Sequence, residues 1–313
     1  MQIKRKIIFG IVFSLITNLL FAQKEKLIIG RTTGELVIKR NKSIRVFGFS
    51  TTLSGQVSLP GSLIEMEVGD TLFIDFWNIS QGNPVSLYAE NIDFEAISIE
   101  KKVVSSKPID HMEHGMYQLI ARRKGTYLYY SPENYPFNLQ AGMFGTIIVR
   151  DKQENNSIGN SKEIVWCSHE IDVNWHTDDI MNVTHDDINI PLEIPEYRPN
   201  FFLINGILAK KIKGLQPFKP VNKTVTLRLV NAGLYNHIIE IPKVLRPKVI
   251  YGNLSNGTPT VTGIKVSLHS KETMELQLSL FDLKNNESIL YQYVDPKNDA
   301  TVYQVSIPVF YKQ

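Results

Sequence analysis

Residues 60–78, PGSLIEMEVGDTLFIDFWN, decide the fold. Gly69 and Asp70 form a turn signal between two segments in which apolar and polar residues alternate, and this alternation is typical of a half-buried β-strand. Similar short segments, rich in β-branched and aromatic residues, recur along the chain. The predicted strands include 35–39, 43–49, 71–77, 126–130, 146–149, 163–167, 201–204, 224–230, 265–268, 275–280 and 302–308. No pattern predicts a helix longer than two turns, so the sequence predicts an all-β protein.

A polar segment divides the strands into two groups. Residues 151–162, DKQENNSIGNSK, contain glycine, asparagine and serine and no apolar periodicity, which is typical of a linker. The length of 313 residues also favours two domains. We therefore predict two β-sandwiches in tandem, at residues 30–152 and 161–313.

The N-terminus has the order of a secretory signal peptide. Three basic residues at positions 4–6 precede an apolar run at 7–21, and Ala22 follows. We predict that residues 1–22 are removed and that the protein is exported to the periplasm or the extracellular space. An uncleaved N-terminal anchor is the alternative. No later segment is apolar enough to span a membrane.

Charge and cysteine content narrow the range of partners. The chain has 34 basic and 31 acidic residues, and three of the basic ones lie in the predicted signal peptide. The remainder is balanced, whereas nucleic-acid binders carry a clustered basic excess. The single cysteine, Cys167, excludes an internal disulfide. We expect a protein or small-molecule partner of unknown identity and no nucleic acid.

Five segments together carry a family resemblance. They are PGSLIEMEVGDTLFIDFWN at 60–78, GTYLY at 125–129, GMFGTIIV at 142–149, FLING at 202–206 and TLRLVNAG at 226–233. In this order they resemble the cupredoxin domains of multicopper oxidases, a family related to the copper nitrite reductases. The resemblance implies two tandem cupredoxin-like Greek-key sandwiches, a copper cofactor, oxidoreductase activity and, by analogy with two-domain relatives, a homotrimer.

The family's histidine ligands are missing from the matching positions. Ser86 and Tyr88 stand where the first His-x-His motif is expected, and Tyr130 and Pro132 stand at the second. When the chain is aligned with the nitrite reductases, the positions of the histidine, cysteine, histidine and methionine ligands hold Asn83, Ser131, Asn138 and Met143. Only Met143 is a copper ligand of that set.

The histidine count leads to the same result without an alignment. The family's catalytic cluster would take eight histidines and its electron-entry copper two more, whereas this chain has seven and no His-x-His motif. We therefore predict that the family's copper is lost or weakly bound and that the protein is a non-catalytic pseudoenzyme used for binding or assembly. A copper-dependent oxidoreductase, which the resemblance alone implies, is the third choice.

A histidine and methionine cluster offers a second possible function. His111, Met112, His114 and Met116 lie within six positions, and imidazole with thioether sulfur suits Cu(I). This segment predicts a copper-binding or copper-handling protein. Alternatively, these residues are ordinary loop side chains.

A blue-copper spacing occurs once more in the second half. Cys167, His176 and Met181 have the spacing Cys-x8-His-x4-Met, but a strand that opens a domain is the wrong place for a blue-copper loop. A buried, inert cysteine is the preferred interpretation. For the aromatic residues at 127, 129, 130, 135 and 137 we prefer packing of the core over a recognition surface.

Overall fold

The computed structural model describes residues 24–39, 42–80, 82–151, 162–182, 194–215, 224–253, 261–262, 265–281 and 287–309. The predicted signal peptide and residues 152–161 of the predicted linker lie outside these ranges. The predicted all-β class is confirmed, because four sheets account for almost all of the regular structure in the described residues.

The first sandwich contains nine strands. They are β1 Lys24–Lys39, β2 Lys42–Ser50, β3 Ile64–Glu67, β4 Thr71–Asn78, β5 Tyr88–Ala89, β6 Asp93–Ile97, β7 Glu113–Ile120, β8 Gly125–Tyr130 and β9 Phe144–Arg150. One sheet has the order β2-β1-β4-β7-β6 and the other β3-β9-β8-β5. Apolar side chains from both sheets, among them Ile74, Phe76, Tyr129 and Ile147, form one buried core.

The second sandwich contains eleven strands among the described residues. They are β10 Lys162–Ile171, β11 Phe201–Ile204, β12 Ile207–Leu208, β13 Thr224–Asn231, β14 Asn236–Glu240, β15 Lys248–Asn253, β16 Val261–Thr262, β17 Lys265–Leu268, β18 Thr273–Ser279, β19 Ser288–Val294 and β20 Thr301–Pro308. The sheets have the orders β12-β11-β10-β13-β18-β15 and β16-β17-β14-β19-β20. The two halves share one plan, because β1 pairs in parallel with β4 as β10 does with β13.

Helices are short, as expected. In the described ranges the α-helices are α1, Phe137–Ala141, and α2, Asp178–Met181, and the 3-10 turns are Val173–His176, Ala209–Lys211 and Lys243–Leu245. Gly142 ends α1 with a φ of 123°, a value that favours glycine. A Cβ atom there would also collide with the carbonyl oxygen of Phe47. None of the helices in the described ranges is both long and apolar enough to cross a membrane.

Strand β1 starts eleven residues before the predicted strand at 35–39. Its first part, Lys24–Gly30, pairs with β4, and its second part pairs with β2 across a register shift between Arg31 and Gly34. Strand β1 therefore pairs with two neighbouring strands, β4 and β2. The shift disturbs the alternation of side chains, so the period-2 pattern identified only the part that pairs with β2.

Strand β8 connects the two sandwiches. Tyr127 and Tyr129 enter the first core. Leu128 and Tyr130 face the opposite way, into a cluster with Cys167, Val230 and Ala232 of the second sandwich. All six residues of β8 are therefore buried. Of the aromatic residues at 127–137, only Tyr135 is exposed, with 51% of its surface accessible, so the preferred core packing holds for the other four.

Candidate functional site

The site predicted from the nitrite-reductase alignment forms one compact cluster. Asn83 follows β4, Ser131 follows β8, Asn138 lies in α1 and Met143 precedes β9. All four are buried. Asn78, at the end of β4, positions the first of these loops, because its Nδ2 donates to the carbonyl oxygens of Asn83 at 2.9 Å and Ile109 at 2.7 Å.

The polar side chains of this cluster bind one another. Asn138 Nδ2 donates to Ser131 Oγ at 3.1 Å, and Asn83 Nδ2 donates to Asn138 Oδ1 at 3.3 Å. The backbone N–H of Ser131 donates to the carbonyl oxygen of Met143 at 3.0 Å. The cluster supplies amide and hydroxyl groups in place of imidazole and thiolate, and this donor set does not fit a blue-copper centre, which requires two histidines and a cysteine.

Glu133 completes the cluster from the loop after β8. Its carboxylate accepts hydrogen bonds from the Ser86 N–H at 2.7 Å, from Ser131 Oγ at 2.8 Å and from Ser86 Oγ. Asn134 Nδ2 donates to Asn83 Oδ1 at 2.7 Å. Through Glu133, Ser86 at one of the predicted vacant ligand positions is therefore linked to Ser131 of the other alignment. Pro132 lies between Ser131 and Glu133 in the sequence and is half-buried.

The tyrosines at the other vacant positions face each other. Tyr88 pairs with Tyr130 across β5 and β8, and their ring centroids are 5.7 Å apart in an edge-to-face arrangement. Tyr130 Oη donates to Glu90 at 3.2 Å. Burial raises the pKa of Tyr130 to about 12. The phenol is therefore neutral at ordinary pH and is a poor metal ligand.

A lysine of the second sandwich supplies the positive charge at these tyrosines. The ammonium group of Lys271 lies 2.7 Å from Glu90 Oε1 and 5.4 Å from the ring centroid of Tyr130. Burial lowers the pKa of Lys271, but the hydrogen bond to Glu90 and the proximity of Tyr130 outweigh burial and raise it. Lys271 therefore stays charged and links the two sandwiches.

The histidine and methionine segment lies at the start of β7. His111 Nδ1 lies 2.8 Å from the carbonyl oxygen of Ser80, and His114 Nδ1 lies 3.1 Å from Asp75 Oδ1. The His114 ring also stacks on Trp77 at 4.6 Å between centroids. Met112 is 62% exposed, and Met116 pairs with Asp75 across β4 and β7. No described residue forms a hydrogen bond with either Nε2.

The spacing Cys167, His176, Met181 does not produce a cluster. Cys167 belongs to the cluster around Leu128, and Met181 to the core of the first sandwich. Both ring nitrogens of His176 are occupied, Nδ1 by the Arg45 carbonyl oxygen at 2.6 Å and Nε2 by Gln140 at 3.0 Å. Burial raises the pKa of Cys167 to about 12, so its thiol is protonated and inert. No three His, Cys, Asp or Glu residues of the described ranges form a metal-binding group.

The sequence analysis missed Glu133, Glu90, Lys271 and the unusual state of His169. Glu133 lies two residues after Ser131 and could have been considered as a partner for it. Glu90 and Lys271 are 181 positions apart, and no local pattern connects them. His169 is buried against the ring of Phe144, and neither of its nitrogens has a hydrogen-bond partner among the described residues.

Comparison with known proteins gives a family match within the first sandwich. Residues 49–154 match the family model described as multicopper oxidase. No curated protein sequence is significantly similar to this chain. The other similarities are therefore to solved structures.

Three solved structures illustrate these similarities. A blue copper oxidase from Nitrosomonas europaea has a TM-score of 0.65 at 16% identity, over 92% of this chain and 86% of that one. A copper nitrite reductase from the same organism has 0.58 at 16%, over 91% and 94%. The copper-containing nitrite reductase of Thermus scotoductus has 0.64 at 12%, over 92% and 62%. Identities this low establish the fold alone. The family resemblance is confirmed, because the chain has the fold of these cupredoxin structures and residues 49–154 match the multicopper oxidase family model.

Proposed function

We propose that this chain is an exported, non-catalytic binding or assembly protein with cupredoxin-like domains at 30–152 and 161–313, and that it has lost the family's copper ligands. The mutual hydrogen bonds of Asn83, Ser131 and Asn138 carry the proposal. Buried polar groups that already satisfy one another gain little from a metal ion. Tyr130, bonded to Glu90 and Lys271, supports the same conclusion at the other vacant positions.

Copper content and absorbance test the proposal directly. The mature protein is loaded with copper, dialysed, and measured for bound metal and visible absorbance. We expect no blue band and no oxidase activity. A blue band that persists after dialysis would contradict the loss of ligands.

Restoring the ligands is the sharper experiment. The variant N83H/S131C/N138H places two imidazoles and a thiolate beside Met143, the set that forms blue-copper centres. We expect it to bind about one copper per chain with a blue band. The control N83H/N138H keeps Ser131 and should stay colourless, since the colour depends on the copper–thiolate bond. A colourless triple variant that folds normally would contradict the assignment of these positions.

A second candidate function, copper handling by His111, Met112, His114 and Met116, rests on a different observation. Both histidines use Nδ1 for an oxygen acceptor, the carbonyl of Ser80 and the carboxylate of Asp75. Metal-binding histidines commonly have this arrangement, because the bond at one nitrogen fixes the tautomer and leaves the other free for the metal.

Colourless copper would separate this candidate from the first. Titration with Cu(I) in the presence of a competing chelator should give about one site per chain if the segment binds copper. His111→Ala/His114→Ala should abolish that site, and His269→Ala, an exposed histidine elsewhere, should keep it. Equal binding by all three proteins would exclude the segment.

A further inference from the structure

A cavity at the edge of the first sandwich has no role in either proposed function. It has a volume of about 460 Å³ and lies beside β5, β6 and the turn between β7 and β8. Small-molecule sites commonly measure roughly 300–1,000 Å³. The cavity is therefore large enough for a small organic ligand.

Its walls combine polar groups with aromatic rings. Phe94, Ile120 and Tyr88 are among the residues that line it. The two rings are held in place, because Phe94 packs against Tyr117 at 5.4 Å and Tyr88 packs against Tyr130 at 5.7 Å between centroids. Fixed aromatic walls favour a flat ligand, because it makes ring contacts without ordering new side chains.

The charged side chains that line the cavity carry one more positive charge than negative charge. Asp93, Arg122 and Arg123 line it, and Arg122 Nε donates to Asp93 Oδ2. Arg123 forms no ion pair with a carboxylate among the residues that the structure describes.

We propose that this cavity binds a small aromatic carboxylate, with Arg123 holding the carboxylate and Phe94 and Tyr88 flanking the ring. A guanidinium presents two parallel N–H groups that match a carboxylate. One surplus positive charge suits a monoanion. The proposal rests on the proposed binding function, because it identifies the class of ligand.

Benzoate binding to the full-length mature protein, measured by isothermal titration calorimetry at low ionic strength, tests the site. We expect saturable binding at one site per chain. Benzamide, which has the same shape without the charge, should bind about tenfold more weakly or not at all. Arg123→Gln should weaken benzoate binding by about tenfold or more, and Arg198→Gln, an exposed arginine outside the cavity, should leave it unchanged.

Three results would overturn the proposal: no saturable benzoate binding, equal binding by Arg123→Gln, or equal binding of benzamide. Displacement of benzoate by inorganic phosphate at equal concentration would also overturn it, because the site would then select charge and ignore the ring. The copper content of the same preparation is measured in parallel. Bound copper with benzoate binding intact would reject the proposed function and leave the cavity site standing, and the reverse result would reject only the cavity.

Discussion

The carboxylate of Glu133 holds together the loops that would carry copper ligands in a cupredoxin. It accepts hydrogen bonds from Ser86, which precedes β5, and from Ser131, which follows the neighbouring strand β8. Hydrogen bonds to a charged acceptor are stronger than neutral ones. Glu133 therefore holds these loops together, as a bound metal ion holds the loops that carry its ligands.

Replacing Glu133 with alanine should destabilise the protein. The Ser86 N–H and the Ser131 hydroxyl would lose their acceptor, and a buried donor without a partner costs about 1–3 kcal/mol. Urea unfolding followed by tryptophan fluorescence measures the change. Glu100→Ala is the control, because Glu100 pairs only with Lys102 at an exposed site and should change the free energy of unfolding by less than about 0.5 kcal/mol. Equal effects of the two substitutions would contradict this role.

His169 is a second residue whose surroundings predict a measurable effect. Burial, followed by the nearby His176 and His237, lowers the pKa of its imidazole to about 3. An unfolded chain binds the proton near pH 6.5. Between these values only the unfolded state is protonated, so stability is complete above about pH 6.5 and falls as the pH falls towards about 3.

Substituting His169 should flatten this dependence. We expect His169→Leu to lose less stability than the wild type between pH 6.5 and pH 4, measured by urea unfolding at each pH. Phe76→Leu is the control, because Phe76 packs against Phe49 and Tyr117 in the first core and its replacement leaves Phe144 in place against His169. It should lower stability at every pH with the slope unchanged. The same slope in His169→Leu would refute the argument.

At the scale of elements, β13 places a guanidinium between the two sandwiches. The side chain of Arg228 is 5% exposed and contacts two carboxylates of the second half, Glu275 and, at 2.6 Å, Glu163. It also donates to Thr126 of β8 at 2.9 Å. Glu163 extends the network to Arg150 of β9 at 2.7 Å. Burial raises the pKa of Glu163, but the hydrogen bonds from Arg150 and Arg228 outweigh this and lower it.

Arg228→Met should be among the most damaging single substitutions. It removes the guanidinium that Glu275 and Glu163 share, and breaking a buried pair from one side costs about 3–5 kcal/mol. The double variant R228M/E275Q should recover part of that loss, because it also removes the charge of Glu275. Thermal unfolding by circular dichroism compares the two. A double variant that is less stable than R228M would contradict this account.

Strand β8 shows how far the sequence predicts this fold. Its alternation predicted residues 126–130, and the structure has Gly125–Tyr130. The sequence also indicated that two adjacent tyrosines face opposite sides. It could not indicate that a second sandwich covers the other side, because Val230 is a hundred residues away. The same holds for the site: the vacant positions follow from the family resemblance, whereas Lys271 reaches Tyr130 only through the tertiary fold.

At the scale of the molecule, apolar and charged contacts join the sandwiches. They include the buried cluster around Leu128 and Cys167, the ion network around Arg228, and Lys271 with Glu90. Domains move independently unless their interface is large and apolar. Here a whole strand face is shared, and the sandwiches should therefore behave as one body.

Calorimetry should accordingly show one unfolding transition, with a calorimetric enthalpy close to the van't Hoff enthalpy. Leu128→Ala removes buried methyl groups from the shared cluster and should lower the midpoint of that single transition. Two separate transitions in the wild type, or a shift of only one of them in Leu128→Ala, would contradict the single body.

The parallel pairing of β3 with β9 has a consequence for the newly made chain. Ile64 pairs with the strand residue Ile147, so β3 has no partner in its sheet until β9 has left the ribosome. At roughly 5–20 residues per second, the intervening segment takes on the order of 4–16 seconds to synthesise. During that interval the backbone of β3 lacks its ladder partner, and the time is set by the rate of translation and not by the rate of folding.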